Sequence, residues 1–401
     1  MRILWVSNAP HAPTGYGTQT AEFTPRLKGL GHEMAITCFY GVQGAPMQQN
    51  GILLLPAGRD AYGLDVIAAD AEWFNADIVL SLVDNWIFPV ELTRMFNHVP
   101  WMPVDHEPVP PDVVKATAGA FLPICYSRFG QKAMEDAGLL PEYVPHAIDT
   151  EHKYYPVERS QARASLGIGD DRFLIGMVAA NKGTPSRKAF DQNLRAFGRF
   201  QKRHPEAVFY LHTDWTGAMG ENIRELVARN DIPQKSIAQP PVYQYNRGMI
   251  GLDYMRNVYS ACDVVTNATK GEGFGLTIIE AQACGCPVIV GNYTAMPELV
   301  RDGMGWKVGY SDKVFSQNSY QFVPSVDEIE AAYEDAWKTR ENADRRRLAR
   351  DFVKEHYDAF TVVNQYWKPV LAKIEKKLAR QTERLTPVTV KAKKEAARAS
   401  A

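Results

Sequence analysis

The sequence predicts an α/β protein of two domains, each built on a parallel sheet, facing one another across a cleft. Three observations predict it. Short apolar, β-branched runs alternate with helical segments along nearly the whole chain, as in repeated βαβ units. At 401 residues the chain is long enough for two domains of ordinary size. Composition shifts over residues 149–169, where Pro156, the polar run Glu158-Arg159-Ser160-Gln161 and two glycines resemble an interdomain linker with a short helix. Clefts between domains are favoured ligand sites.

The elements follow in order. Ile3 to Ser7 reads as a buried strand, and a helix follows from about Thr18 to Lys28, kinked at Pro25. Gly29 and Gly31 terminate that helix. Met34 to Phe39, Ala76 to Ser81, Pro100 to Val104 and Phe121 to Tyr126 are further strands, and a helix lies near Phe129 to Ala137. Beyond the linker the strands are Phe173 to Val178, Val208 to His212, Val264 to Asn267 and Val288 to Val290. The helices there are about Asp191 to Arg203, Leu252 to Ala261 and Leu276 to Ala283, with 326–357 strongly helical. The expected division is 1–155 and 156–354, with a basic tail over 371–401.

Charge and composition narrow the function. Lys plus Arg is 45 and Asp plus Glu is 46, so no global field draws nucleic acid or an anionic membrane. The tail is the exception, with nine Lys or Arg and three Glu from Leu371 to Ala401. Such a segment is usually a solvated helix end or a disordered arm. Five cysteines at wide spacing form no disulfide framework and no metal-ligand pattern; they read as buried thiols. No apolar run approaches the roughly 18 residues that span a bilayer. The expected location is the cytoplasm.

The chemistry concentrates in Lys270-Gly271-Glu272-Gly273-Phe274-Gly275-Leu276-Thr277-Ile278-Ile279-Glu280. A glycine-rich loop runs into a helix, and two carboxylates stand eight residues apart. Gly273 and Gly275 leave backbone N–H groups uncovered at a helix N-terminus, a natural seat for phosphate. Glu272 and Glu280 would repel phosphate and are suited to accept hydrogen bonds from neutral hydroxyls. Phosphate donors flanked by hydroxyl acceptors describe a sugar nucleotide; the alternative is a buried turn with two solvated acids.

Four further stretches add to it. Gly15-Tyr16-Gly17 follows the first strand but departs from a dinucleotide fingerprint, so it is either a flexible loop whose amides approach a phosphate or a plain loop. Lys182, Arg187 and Lys188 cluster cations after the first strand of the second domain, where α/β folds bind ligands. They can neutralise a diphosphate, or simply be a solvated basic loop. In the proline-stiffened loop 103–111, His106 can donate to a sugar hydroxyl, with Asp105 or Glu107 orienting it or binding the acceptor. His212 to Asp214 lies at another strand end and either lines the nucleotide pocket or supports it. No Asp-x-Asp pair for a diphosphate-bound metal occurs in the chain.

Taken together, these residues resemble the retaining glycosyltransferases of family 4, glycosyl transferases group 1. Gly31-His32-Glu33, Ser127-Arg128-Phe129-Gly130, Val144 to Asp149, Leu166 to Gly176, the Glu-x7-Glu stretch through Ile289, and Pro297 to Val300 carry the resemblance. It implies the GT-B fold, two Rossmann-like domains with a C-terminal helix, about residues 355–370, crossing back to the first. It implies transfer of a hexose from a UDP-, GDP- or ADP-sugar to an acceptor hydroxyl, without metal or other cofactor. Glu280 would bond the ribose, Glu272 the donor sugar, and the amides of Gly273, Phe274, Gly275 and Leu276 the phosphate or sugar. Lys188 would hold the diphosphate, with Lys182 where the family places an arginine. Gly15 and Gly17 would touch donor phosphate, and His106 would lie beside the anomeric carbon. The acceptor is open: glycan, protein, lipid or small molecule. A sugar-nucleotide epimerase and a silent sugar-nucleotide-binding subunit are the alternatives on this scaffold.

Overall fold

The structure, a computed structural model, describes residues 1–381. The N-terminal half is an eight-stranded sheet. Its strands are β1 (Arg2–Asn8), β2 (Glu33–Tyr40), β3 (Met47–Gln49), β4 (Ile52–Pro56), β5 (Ile78–Leu82), β6 (His98–Met102), β7 (Ile124–Cys125) and β8 (Glu142–Tyr143). They lie in the order β3-β4-β2-β1-β5-β6-β7-β8, all parallel except the β3–β4 pair. The C-terminal half is a six-stranded parallel sheet of β9 (Phe173–Val178), β10 (Ala207–His212), β11 (Ile237–Ala238), β12 (Val264–Asn267), β13 (Val288–Gly291) and β14 (Gly305–Val308). Its order is β11-β10-β9-β12-β13-β14. An antiparallel hairpin, β15 (Tyr310–Ser316) and β16 (Ser319–Pro324), stands apart.

Both sheets are doubly wound, and in both the strand order reverses beside the first strand. The reversals fall between β1 and β5 and between β9 and β12. Loops leaving the carboxyl ends of strands at such a point part to opposite faces and open a crevice. The central strands are buried on both faces, which is why they read as continuous apolar runs and not as alternation.

Several elements fall where the sequence predicts, among them β9, β12 and the helices Leu252–Ala261 and Leu276–Ala283. Others differ. β6 ends at Met102, because Pro103 already packs against the second domain at Gly273. The strand expected over 121–126 shrinks to two residues. The long helical stretch is two helices, Val326–Lys338 and Ala343–His356, the second capped by the Asn342 side chain on the Arg345 amide. The hairpin β15–β16 was not expected. Its turn residues Gln317 and Asn318 both have positive φ, and no Asn-Gly or Asp-Gly pair announces it.

The chain returns to the first domain through aromatic packing. The Trp367 ring lies 5.0 Å from Trp101 and 5.7 Å from Phe23, beneath the first sheet. Backbone bonds Ile148 N–H to Tyr357 O and Ala359 N–H to Ile148 O tie this second crossing to the first. Residues 371–381 are helical and packed, with Leu371 and Ile374 buried and Lys373 paired to Glu142 at 2.7 Å. The basic tail expected from 371 therefore does not begin there, since its first turns supply apolar positions to the core. Residues 382–401, the greater part of that tail, lie outside the described residues.

The short linker helix Arg159–Ser165 is anchored to the second sheet by Asp263. This carboxylate accepts from Arg163 Nη2 at 2.8 Å, from the Leu174 amide at 2.7 Å, and from Arg159. All five cysteines are free and buried. Asp263→Ala should leave two guanidinium groups without their carboxylate at a buried site. We expect a loss of about 3–5 kcal/mol, read by scanning calorimetry as a melting temperature lower by roughly 10 °C.

Candidate active site

The loop between β12 and the helix Leu276–Ala283 sits at the reversal point of the second sheet. Its three glycines are required for different reasons. Gly275 has φ +108°, and a β-carbon there would strike Ile278. At Gly271 a β-carbon would strike the Asp105 carbonyl, and at Gly273 it would strike Pro103. The loop from the first domain thus lies directly on this backbone. Between the glycines, Phe274 is 3 % exposed and inserts its ring among His146 (5.2 Å), Tyr357 (5.6 Å) and Tyr126 (6.4 Å). Phe274 was expected to contact a donor; its side chain is an interdomain anchor, and only its amide remains for a ligand. The amides of Gly273, Phe274 and Gly275 have no acceptor among the described residues.

Three expected residues meet over this loop. Lys188 Nζ lies 2.6 Å from Glu272 Oε1, and Arg187 Nη1 lies 3.2 Å from Oε2. Arg187 also donates to the Gly271 carbonyl and faces Asp105 at 3.6 Å. Burial by itself would raise the Glu272 carboxyl; the Arg187 and Lys188 charges outweigh it and hold it at about 2. Burial lowers Lys188, and Glu272 partly offsets that. Glu272 was expected to face neutral hydroxyls, yet both its oxygens are engaged by the two cations that the sequence assigns to a diphosphate. The reason is proximity: β9 and β12 are adjacent, so the loops that follow them share one crevice. Lys182 does not join this cluster; it is exposed and has no ion pair among the described residues.

The first domain adds a second layer. His106 is 1 % exposed, and its Nδ1 lies 2.7 Å from Asp105 Oδ1. A carboxylate only accepts, so Nδ1 carries a proton and Nε2 is the nitrogen left for a ligand. Nε2 is buried and unpartnered. Any contact of His106 with a sugar hydroxyl, as expected from the sequence, therefore falls to Nε2. Of its two acidic neighbours Asp105 orients it, while Glu107 faces Lys313 on the hairpin at 4.0 Å. The hairpin also straps the loop, with the Glu107 amide donating to Tyr320 O and the Phe322 amide to Lys270 O.

The Gly15-Tyr16-Gly17 segment is not a loop. The helix Gly15–Gly29 starts there, and its cap residue Thr14 accepts the Gly17 amide through Oγ1 at 3.0 Å. Gly17 is buried, and a β-carbon on it would strike the Ala12 carbonyl, so packing explains this glycine and its amide is already taken. Gly15 does face the second domain: a β-carbon there would lie 3.2 Å from Leu276 Cδ1. Between these glycines stands Tyr16, which sequence reasoning missed. Its hydroxyl lies near Tyr126 and Asp84, and burial followed by the Asp84 charge raises it. Asp84, at the end of β5, is itself pushed up to about 6 by burial and the Asp105 charge. A tyrosine and an aspartate in two separate loops offer no local pattern to read.

Glu280 lies one helix further in. Its Oε2 accepts from Tyr259 at 2.6 Å and its Oε1 from Tyr154 at 3.1 Å. Burial raises its carboxyl, and the two phenol donors oppose that. His212 bonds Tyr210 through Nδ1 at 3.1 Å and supports the β10 end. No group of three or more His, Cys, Asp or Glu able to hold a metal occurs among the described residues.

Paired cations, unpartnered amides and buried carboxylates gather at one reversal point, and residues 172–331 match the family described as Glycosyl transferases group 1. Over that stretch the chain is similar to group 1 glycosyltransferases. Curated relatives include D-inositol 3-phosphate glycosyltransferase of Mycolicibacterium gilvum, 29% identical over 174 residues, which cover 42% of this chain and 36% of that protein. The same enzyme of Actinosynnema mirum is 31% identical over 165 residues, covering 40% and 37%. The match spans little more than a third of these relatives' length. Solved structures share the fold over nearly the whole chain. Sucrose-phosphate synthase of Thermosynechococcus elongatus superposes with a TM-score of 0.73 at 14% identity, covering 95% of this chain and 99% of that one. Anabaena HepE in complex with UDP-glucose gives 0.69 at 17%, covering 93% and 100%. The chain thus has the GT-B fold. No helix among the described residues is long and apolar enough to cross a membrane.

The depressed Glu272 carboxyl sets a pH dependence. Its folded pKa of about 2 lies below the ordinary 4.5, so its ion pairs stabilise the fold above pH 4.5. That contribution fades as pH falls from 4.5 toward 2. Melting temperatures of the native protein and Glu272→Gln should differ most above pH 5 and converge near pH 2.

Proposed function

We propose that this protein is a retaining glycosyltransferase that moves a hexose from a nucleoside-diphosphate sugar to an acceptor hydroxyl without a metal. The observation that carries the reading is the Lys188–Glu272–Arg187 cluster beside three unpartnered amides. A diphosphate is the ligand that competes best for both cations. As it enters, Lys188 and Arg187 turn part of their charge to phosphate oxygens, and Glu272 becomes free to accept hydroxyls of the transferred sugar. The amides of Gly273, Phe274 and Gly275 add oriented dipoles where negative charge gathers. Glu280 receives the ribose. Anabaena HepE, which shares the fold, is known in complex with UDP-glucose, so UDP-glucose is the first donor to try.

The reaction breaks the bond between the anomeric carbon and the β-phosphate oxygen and forms one from that carbon to the acceptor oxygen on the same face. The departing phosphate takes the acceptor proton, so no protein nucleophile is assigned. Lys188, Arg187 and the loop amides stabilise the charge left on the diphosphate. His106, aimed by Asp105, accepts a sugar hydroxyl at Nε2 and fixes the ring beside the reacting carbon. The contact of Gly271 and Gly273 with Pro103 and Asp105 closes the cleft and excludes water.

Screening UDP-, GDP- and ADP-sugars for thermal stabilisation should identify one donor class that raises the melting temperature with concentration. With that donor, Lys188→Ala should lower turnover by about 10²–10³ and weaken nucleoside diphosphate binding. Unchanged kinetics in Lys188→Ala would reject the site.

A further inference from the structure

Glu280 is buried without an ion pair among the described residues, an unusual setting for a carboxylate. Two neutral phenols hold it. Tyr259, on the helix Leu252–Ala261, is fully buried and donates to Oε2. Tyr154 comes from the linker between the domains, is 7 % exposed, and donates to Oε1. The Tyr154 amide donates in turn to Asp149 O, and neighbouring Lys153 pairs with Glu22 of the first domain, so the linker fixes where this phenol sits.

A carboxylate offers about four acceptor positions, two on each oxygen. The phenols take one on each. One position on each oxygen remains, and Glu280 keeps 9 % of its surface open to receive a donor. The matching partner has two hydroxyls side by side, one for each oxygen, which is the vicinal 2′,3′-diol of a ribose. A 2′-deoxyribose carries one of the two and leaves a buried acceptor position unpaired.

We propose that Tyr154 and Tyr259 are positioning residues that aim Glu280 at the ribose diol and so set the preference of the site for ribose over 2′-deoxyribose. This rests on the donor-site reading above. Without the phenols Glu280 is free to rotate or to take up a proton in its buried pocket, and either change removes its preference for two hydroxyls.

Isothermal titration of UDP, GDP and ADP, each against its 2′-deoxy form, tests the inference. For the nucleotide that binds best, the native protein should favour the ribose form by about 10- to 100-fold. In Tyr259→Phe, which keeps the ring and removes only the hydroxyl, that ratio should fall toward one. Tyr154→Phe, at the less enclosed linker position, carries the same test if Tyr259→Phe does not fold. A merely structural role would weaken both forms equally and leave the ratio intact, so a preserved ratio in the variants overturns the proposal. A ratio near one in the native protein overturns it too, while the diphosphate contacts still stand. If none of the six nucleotides binds, the donor-site reading falls with it.

Discussion

The site depends on one contact, the direct seating of the first domain's loop on the backbone of the second domain's glycine loop. Gly271 lies under the Asp105 carbonyl and Gly273 under Pro103, at separations that admit no β-carbon. Everything that faces the crevice from the first domain follows from this. Asp105 comes within reach of Arg187, His106 is turned by Asp105, and Phe274 finds its pocket among Tyr126, His146 and Tyr357. The hairpin β15–β16 presses on the same loop from the other side.

That seating creates an electrostatic arrangement that is balanced but not closed. Arg187 and Lys188 face Glu272 and Asp105, two charges of each sign in a partly buried space. Such pairs lose much of their Coulomb gain to desolvation. A dianionic ligand can therefore exchange with a carboxylate at small net cost, because the cations are charged and oriented beforehand. Preorganised charge of this kind is what a leaving diphosphate requires. Glu280 is held differently, by phenols and not by cations, and so remains an acceptor for neutral groups.

Much of this was legible in the sequence. The buried strands β9 and β12 and the helix Leu276–Ala283 appear as clean apolar runs, because parallel strands covered on both faces leave no alternation to misread. The residues Lys188, Glu272 and Glu280 could be singled out because they flank those elements at strand and helix ends. Gly17 was assigned to ligand on the same logic, and the structure gives it packing instead, while the Phe274 ring packs between the domains and leaves its amide open. A glycine that frees an amide and a glycine that admits a neighbouring backbone look alike in a sequence. Tyr16, Asp84, Tyr154 and Tyr259 escaped altogether, since each sits in a different element with no spacing to link it to the others.

The sequence by itself determined the alternation of strands and helices into parallel sheets and the chemical classes gathered at the strand ends, because periodicity and residue type are local properties. Which oxygen meets which donor was decided only in three dimensions. Whether Glu272 meets cations or hydroxyls, which nitrogen of His106 is left over, and whether residues 371–381 lie in water or in the core all depend on the packing of one domain on the other. Such contacts join residues tens to hundreds of positions apart, and their strength depends on burial, which no stretch of sequence carries on its own.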